Sequence, residues 1–415
     1  MMATDNFVIV GGGLAGATAA KTLRAEGHGG PVILLAEERH EPYLRPPLSK
    51  EYLLGKAGDD ALPVVPDGWY AENGVELRLG VPVTGIDPAA RTVAFGDGGM
   101  LGYASLLLAT GARPRSLPLS GSGLAGVGTF RTVDDSLRLR SGLAGGGRNV
   151  VMIGSGWIGM ELAAAASAYG NSVTLLGLED VPLGTAIGPE LGGFFRSLHE
   201  TNGVRFRLPA SAAGITGESG RVTGVVTDAG EVLPADLVII AVGVVPEVSL
   251  AEAAGIAVRN GILTDAALRT SAPGIFAAGD VANALHPFTG EHHRSEHWSN
   301  ALNGGKVAGR AMLGLDAALD AVPYFYTDQF DVSMEYSGFP ALTAGPPTIR
   351  GSLEEKEFIA FWQREGRVVA GMSVNWPRSA KPQKVIKQLI SAKIPVRPEV
   401  LADPGVPLDR LLPQA

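Results

Sequence analysis

Two glycine triplets are the first residues in the chain whose type and spacing could do chemistry. Gly11, Gly13 and Gly16 stand as G-x-G-x-x-G, and Gly154, Gly156 and Gly159 repeat the pattern. At this spacing backbone N–H groups can close on a pyrophosphate at a helix N-terminus, whose dipole favours an anion. Such a turn also calls for a carboxylate about 20 residues on, to grip a ribose hydroxyl. After the first turn Glu37 stands there. After the second the position is Gly177 and the nearest acid is Glu179, while no Arg or Lys between Gly177 and Gly188 could hold a 2′-phosphate. This loop specifies its nucleotide weakly, and NADH is expected over NADPH.

Other side chains are placed for chemistry, each with a plainer alternative. Asp280 follows the uncharged run "IFAAG"; it is either a surface cap or a partner for a flavin ribityl hydroxyl. Glu161 is expected in the first turn of a helix, where it either complements the helix dipole or stands near a nicotinamide ring. Trp298 is either core or an aromatic beside an electron-carrying ring. His292, His293 and His297 cluster about Glu296 but make no H-E-x-x-H motif. The pair His293/His297 lacks an evident third ligand, and no metal is expected. The stretch "EPYLRPPLSK" (41–50) carries Arg45 and Lys50 on three prolines. Proline excludes a helix interior or a central strand there, leaving a rigid turn or a stiff wall that presents cations.

Strand, turn and helix must position these groups. Phe7–Val10, the first turn, a helix over Ala17–Ala25 ended by Gly27, and a strand Val32–Ala36 read as one βαβ unit. A second unit reads as strand Val150–Ile153, turn, helix Met160–Tyr169 and strand Ser172–Leu176. The apolar runs in "SLLLATGARPR", "LVIIAVGVVPE" and "GIFAAGDVA" read as further buried strands, and 296–313 as a helix. From about Pro323 the pattern turns to strands alternating around polar turns, with a helix near Lys384–Ser391. The expected architecture is α/β. Two Rossmann-like dinucleotide-binding domains precede a smaller α+β C-terminal domain, with boundaries at 1–114 plus 245–322, 115–244 and 323–415.

Length and composition bound the class. A chain of 415 residues with 46% apolar residues implies two or three globular domains. Net charge −8 argues against a nucleic-acid binder. With no cysteine there is no disulfide, no thiolate metal site and no thiol redox centre. No secretory signal is visible and no apolar run reaches the length of a membrane span, so a cytoplasmic protein is expected. The oligomeric state is left open between a monomer and a weak dimer. Against the negative whole, 375–398 holds Arg378, Lys381, Lys384, Lys387, Lys393 and Arg397 and no acid. It is either a solvated helix face or a docking surface for an acidic partner.

Taken together, "IVGGGLAG", "PYLRPPLSK", "LLLATGARPR", "VVMIGSGWIGMELAA", "AVGVVPE", "IFAAGDVA", "EHWSNA" and "YTDQFDVSMEYSG" resemble, end to end, the flavin-dependent ferredoxin reductases of bacterial oxygenase systems. The resemblance implies a glutathione-reductase-like fold and an FAD-dependent NAD(P)H:ferredoxin oxidoreductase. Hydride passes from NAD(P)H to flavin, and single electrons then pass to an iron–sulfur protein feeding an oxygenase such as a haem-thiolate monooxygenase. It implies an FAD site at Gly11, Gly13, Leu14, Ala15, Gly16 and Glu37. Arg45, Pro46 and Lys50 are implied against the isoalloxazine, and Val83, Ala109, Thr110, Gly111 and Arg131 along FAD. Asp280 matches the ribityl ligand, and Glu296, His297 and Trp298 the strip where the nicotinamide arrives. Gly154, Gly156, Ile158, Gly159 and Glu161, with Glu179 and Gly243, match the NAD(P)H site. Lys50, Glu161 and Trp298 are implied in catalysis. If the basic run is a docking surface rather than a solvated face, Arg378, Lys381, Lys384 and Lys387 are its residues for the ferredoxin. The departure is Gly177, where such proteins usually carry an acid. Flavoenzymes of disulfide or peroxide chemistry are disfavoured by the missing cysteine. The remaining alternative is a redox-sensing FAD/NADH interaction protein resembling apoptosis-inducing factor.

Overall fold

The computed structural model describes residues 5–412. The chain divides into two units. The first comprises the described residues up to Arg45, Asp59–Arg113 and Val244–Pro323. The second comprises Pro46–Gly58, Pro114–Gly243 and the described residues from Tyr324 on. The stretch 41–50 is thus shared: Arg45 ends a segment of the first unit and Lys50 belongs to the second.

In the first unit five parallel strands run in the order Ile275–Ala277, Ser105–Leu108, Phe7–Val10, Val32–Ala36, Val75–Leu79. Alternation with period two sends their apolar side chains to opposite faces. Ile9, Leu34 and Leu107 pack in the cluster that holds Ala15, Ala19, Ala308 and Met312 of two helices, Leu14–Ala25 and Trp298–Met312. Val8, Val10, Ile33, Leu35, Leu106 and Leu108 pack in a second cluster with Val93 and Tyr103. The helices meet closely because Gly305 faces backbone: a Cβ there would stand 2.5 Å from the carbonyl oxygen of Ala15.

The second unit repeats the plan. Its parallel sheet runs Arg205–Arg207, Ser172–Leu176, Asn149–Ile153, Leu237–Ile240, Val127–Thr129. Val150, Met152, Val173 and Leu175 share an apolar cluster with Met160 and Leu162 of the helix Trp157–Ala168. The same cluster takes in Val332, Met334, Phe358 and Trp362 of a five-stranded antiparallel sheet, ordered Tyr324–Gln329, Val332–Gly338, Arg367–Val374, Glu357–Arg364, Thr348–Ser352. The helix Pro382–Ala392 buries Val385, Ile386, Leu389 and Ile390. Among the described residues no helix is long and apolar enough to cross a membrane.

Both glycine-turn helices begin three residues earlier than the sequence pattern predicts, at Leu14 and Trp157 rather than Ala17 and Met160. Gly13 and Gly156 take the N-cap position in extended conformation, so the helix starts at once. Glu161 consequently lies beyond the first turn, and helix-dipole complementarity does not account for it.

Candidate functional site

The two turns are built alike. Gly11 (φ +118°) and Gly154 (φ +116°) hold left-handed backbone, and a Cβ on either would run into the carbonyl oxygen of Ala109 or Ala241, each just past the end of a neighbouring strand. A Cβ on Gly16 or Gly159 would strike the carbonyl of Gly11 or Gly154. Gly13 and Gly156, in contrast, face open space with nothing within 4 Å. Neither helix has a side-chain cap or an acid in its first turn. The leading N–H groups, Leu14 to Gly16 and Trp157 to Gly159, have no carbonyl partner within their helices. An open glycine cradle over uncapped donors fits a dinucleotide pyrophosphate, and the chain has two of them.

Around the first turn, Glu37 is exposed directly after Val32–Ala36. A Cβ on Gly12 would stand 2.6 Å from that of Ala36, so the turn and this strand end are neighbours. Glu38 is spent internally, accepting from Arg45 Nη2 at 2.7 Å and Tyr43 Oη at 2.5 Å. Arg45 is therefore not a bare cation. Burial works against its charge, yet Tyr43, Glu38 and Asp280 outweigh that and raise its pKa. Asp280 is buried, and its neighbour Gly279 would carry a Cβ 3.0 Å from that of Ala15, which sets the carboxylate beside the helix start. His297 takes the N-cap position of the helix that opens with Trp298, without a side-chain cap bond; burial pushes its pKa down to about 4 against the pull of Asp280, so it is neutral at pH 7. Glu296 pairs with Arg294 at 2.7 Å. Trp298 is half-buried, outside the fully buried core. Ala109 is buried, Thr110 Oγ1 donates to the Glu247 carbonyl at 2.8 Å, Gly111 is left-handed and Val83 is half-buried.

Around the second turn, Gly177 is buried against Ser155, and a Cβ would also meet Leu208 Cδ2 at 2.8 Å. Glu179 accepts from Thr185 N at 2.7 Å and so closes its own loop. Ile158 and Leu178 are left 43% and 78% exposed, two apolar side chains uncovered beside the turn and the strand end. Gly243 is left-handed, φ +92°, and Arg131 N donates to Asp135 Oδ2 in a helix-start box.

A buried polar cluster lies in the same unit. Pro46–Ser49 is a single 3-10 turn, held by Ser136 Oγ donating to the Leu48 carbonyl at 2.7 Å and by buried Leu53. It delivers Lys50, whose Nζ lies 2.9 Å from Glu161 Oε2, with side chains 8% and 4% exposed. Ser49 Oγ donates to the same oxygen. Thr327 Oγ1 donates to Glu161 Oε1 at 2.6 Å. Lys50 Nζ also stands 5.4 Å from the centre of the Tyr326 ring, and burial with nearby Glu51, Asp328 and Glu161 pushes that phenol up to about 12. Sequence reasoning singled out Lys50 and Glu161 separately, missed that they are partners, and missed Ser49, Thr327, Gln329 and His199. Within the resemblance "PYLRPPLSK" contained Ser49 and "YTDQFD" contained Thr327 and Gln329, all without a role, and nothing marked His199.

The histidine group is dispersed: Thr289 Oγ1 pairs with His293 Nε2 at 2.7 Å, while His297 sits at the N-cap position of the next helix. In the basic run, Arg378, Lys381 and Lys384 are exposed beside a cavity of about 450 Å³ that also has Tyr324, Tyr326 and Glu335 on its wall. Lys387 is instead half-buried, 4.4 Å from the Tyr324 ring centre, and burial lowers its pKa.

Two dinucleotide cradles on parallel sheets, with a buried ion pair and no thiol, define a two-nucleotide oxidoreductase. Residues 5–305 match the pyridine nucleotide-disulphide oxidoreductase family and 324–412 the reductase C-terminal family. The chain is 39% identical to the ferredoxin–NAD(+) reductase component of the anthranilate 1,2-dioxygenase system of Burkholderia cepacia, covering 99% of this chain and 100% of that one. It is 36% identical to putidaredoxin reductase of Pseudomonas putida, covering 100% and 98%. The solved covalent putidaredoxin reductase–putidaredoxin complex superposes with a TM-score of 0.94 at 35% identity, over 99% of this chain and 98% of that one. The chain belongs to the pyridine nucleotide-disulphide oxidoreductase family, among its ferredoxin reductases; having no cysteine, it lacks the disulphide of the family's description.

Proposed function

We propose that this protein carries electrons from NAD(P)H through FAD to a small iron–sulfur ferredoxin that serves an oxygenase, and that it works in the cytoplasm. The observation that carries the reading is the doubled open glycine cradle, with a buried Lys50–Glu161 pair in the unit of the second cradle. Gly11, Gly13 and Leu14 to Gly16, with Glu37 and Asp280, would hold FAD; Gly154, Gly156, Ile158 and Gly159 would hold NAD(P)H. Bound FAD supplies the conversion of a two-electron donor into one-electron steps. The chain's own work is to bind, orient and set charge. Lys50 is the cation that favours an electron-rich ring, and Glu161 fixes where that cation stands. His297, neutral at pH 7, adds no charge of its own. We assign FAD binding to 1–114 with 245–322, NAD(P)H binding to 115–244, and ferredoxin contact to 323–415.

The exposed cations Arg378, Lys381 and Lys384 are the docking surface in this reading, and charge there would speed encounter with an acidic ferredoxin. NADH is the favoured donor, because no cation follows Gly177 to meet a 2′-phosphate. NADH-driven cytochrome c reduction with and without an added [2Fe–2S] ferredoxin tests the function. Strong acceleration by ferredoxin is expected. No acceleration would turn the reading toward a redox-sensing interaction protein.

A further inference from the structure

Behind the Lys50–Glu161 pair the polar contacts continue inward. Thr327 Oγ1 also accepts from Gln329 Nε2 at 3.1 Å, and Gln329 Oε1 faces His199 Nε2 at 2.8 Å. Thr327, Gln329, Glu161 and His199 are all at least 95% buried. His199 lies edge-on between Phe206 and Phe330, with ring centres at 6.1 and 4.9 Å. Its Nδ1 is buried with no partner among the described residues.

Donor bookkeeping gives this row one direction. A carboxylate only accepts, so Thr327 must spend its single hydroxyl proton on Glu161. Thr327 oxygen then accepts from the Gln329 amide nitrogen, which leaves the Gln329 oxygen facing His199. That oxygen needs a donor, so His199 carries its proton on Nε2 and leaves Nδ1 bare. Burial pushes the His199 pKa to about 4, against a smaller pull from Gln329, in keeping with a neutral ring. Every dipole in the row therefore points at Glu161, and rows of this kind polarise one another in a dry interior.

The geometry points to His199, Gln329 and Thr327 as positioning residues: a buried one-way hydrogen-bond row that draws part of the Glu161 charge away from Lys50 and so tunes how much positive field Lys50 keeps. This rests on the reading of Lys50 as the cation that favours reduced flavin. Without the row the Glu161 charge concentrates on Oε2, the oxygen shared by Lys50 and Ser49, and neutralises the ammonium more fully.

The first test uses the parent holoenzyme with 15N-labelled histidine, its His199 signal assigned by loss in His199→Phe. The expected result is the Nε2–H tautomer near pH 7; the Nδ1–H tautomer would overturn the row. The second test equilibrates bound flavin against fixed NADH/NAD+ ratios. Thr327→Val is expected to lower the reduced-to-oxidised ratio about fivefold, the worth of one net hydrogen bond. Thr327→Ser is expected to restore it, and Gln329→Met to shift it the same way by less. A Val variant equal to the parent, or a Ser variant as impaired as Val, would overturn the proposal. If Thr327→Val does not fold, Gln329→Met carries the same comparison. Lys50→Met separates the two readings. If that variant leaves the ratio unchanged while His199 keeps its Nε2 proton, the role of Lys50 toward flavin falls and the row survives as structure alone.

Discussion

Lys50 Nζ stands 2.9 Å from Glu161 Oε2 across 111 residues of chain, both side chains shut away from water. Such a pair is held by what surrounds it rather than by its own attraction, because desolvating two charges costs several kcal/mol. Here Ser49 and Thr327 supply the remaining donors to the carboxylate. Lys50→Met strands the Glu161 charge and is expected to cost about 3 kcal/mol of stability. The double variant Lys50→Met/Glu161→Gln should cost clearly less than the sum of the two singles. Urea titrations of the four proteins measure the coupling, and additive costs would refute a coupled pair.

The same pair predicts a functional loss. Lys50→Met should slow flavin reduction by NADH in stopped-flow traces while the protein remains yellow with FAD bound. An unchanged reductive half-reaction would remove Lys50 from the site.

Acid should loosen the fold through His199. Its folded pKa, about 4, lies below the ordinary 6.5, so the unfolded chain takes the proton first. The stability contribution is whole above pH 6.5 and drains as pH falls toward 4, to a limit of about 3 kcal/mol. His297, shifted the same way, adds its own loss. In His199→Phe the urea midpoint should fall less between pH 7.5 and pH 5 than in the parent. An equal fall in both would exclude His199 as a source.

Much of the plan was legible in the sequence, and for a physical reason. Glycine triplets, buried strands and their acids are local signals, so Phe7–Val10, Val32–Ala36 and Ser172–Leu176 read directly as strands. Helix starts were misplaced because the third glycine of each triplet, Gly16 or Gly159, reads as part of the turn, whereas the backbone turns helical directly after the second. The Lys50–Glu161–Thr327–Gln329–His199 row was illegible because each link joins segments distant in sequence or buries a polar side chain, and neither leaves periodicity. The basic run was visible as charge, but Lys387 packed on Tyr324 looks no different in sequence from exposed Lys384.

That difference sharpens the docking test. Lys381→Glu with Lys384→Glu changes exposed charge only, and is expected to weaken ferredoxin-dependent turnover several-fold at low salt and little at high salt. Lys387→Glu would also disturb packing and confuse the result. Coupling unaffected at every ionic strength would place docking elsewhere.

Coenzyme preference should respond at Leu178, which is 78% exposed and free to change. Leu178→Arg puts a cation where a 2′-phosphate could be met. It is expected to raise kcat/KM for NADPH about tenfold with the melting temperature unchanged. Side-by-side kinetics with NADH and NADPH measure it, and no gain with NADPH would dissociate this loop from the ribose.

Gly177 is walled in by Ser155 and Leu208. An acid installed there by a single mutation would meet a filled space before it met any ribose. The wall must give way first, by a smaller residue at 155 or a shift of Leu208. The order in which substitutions accumulate is therefore constrained. If Leu178→Arg behaves as expected, a lineage passing through this protein would change coenzyme in one step through the exposed neighbour, and only by a two-step route through Gly177.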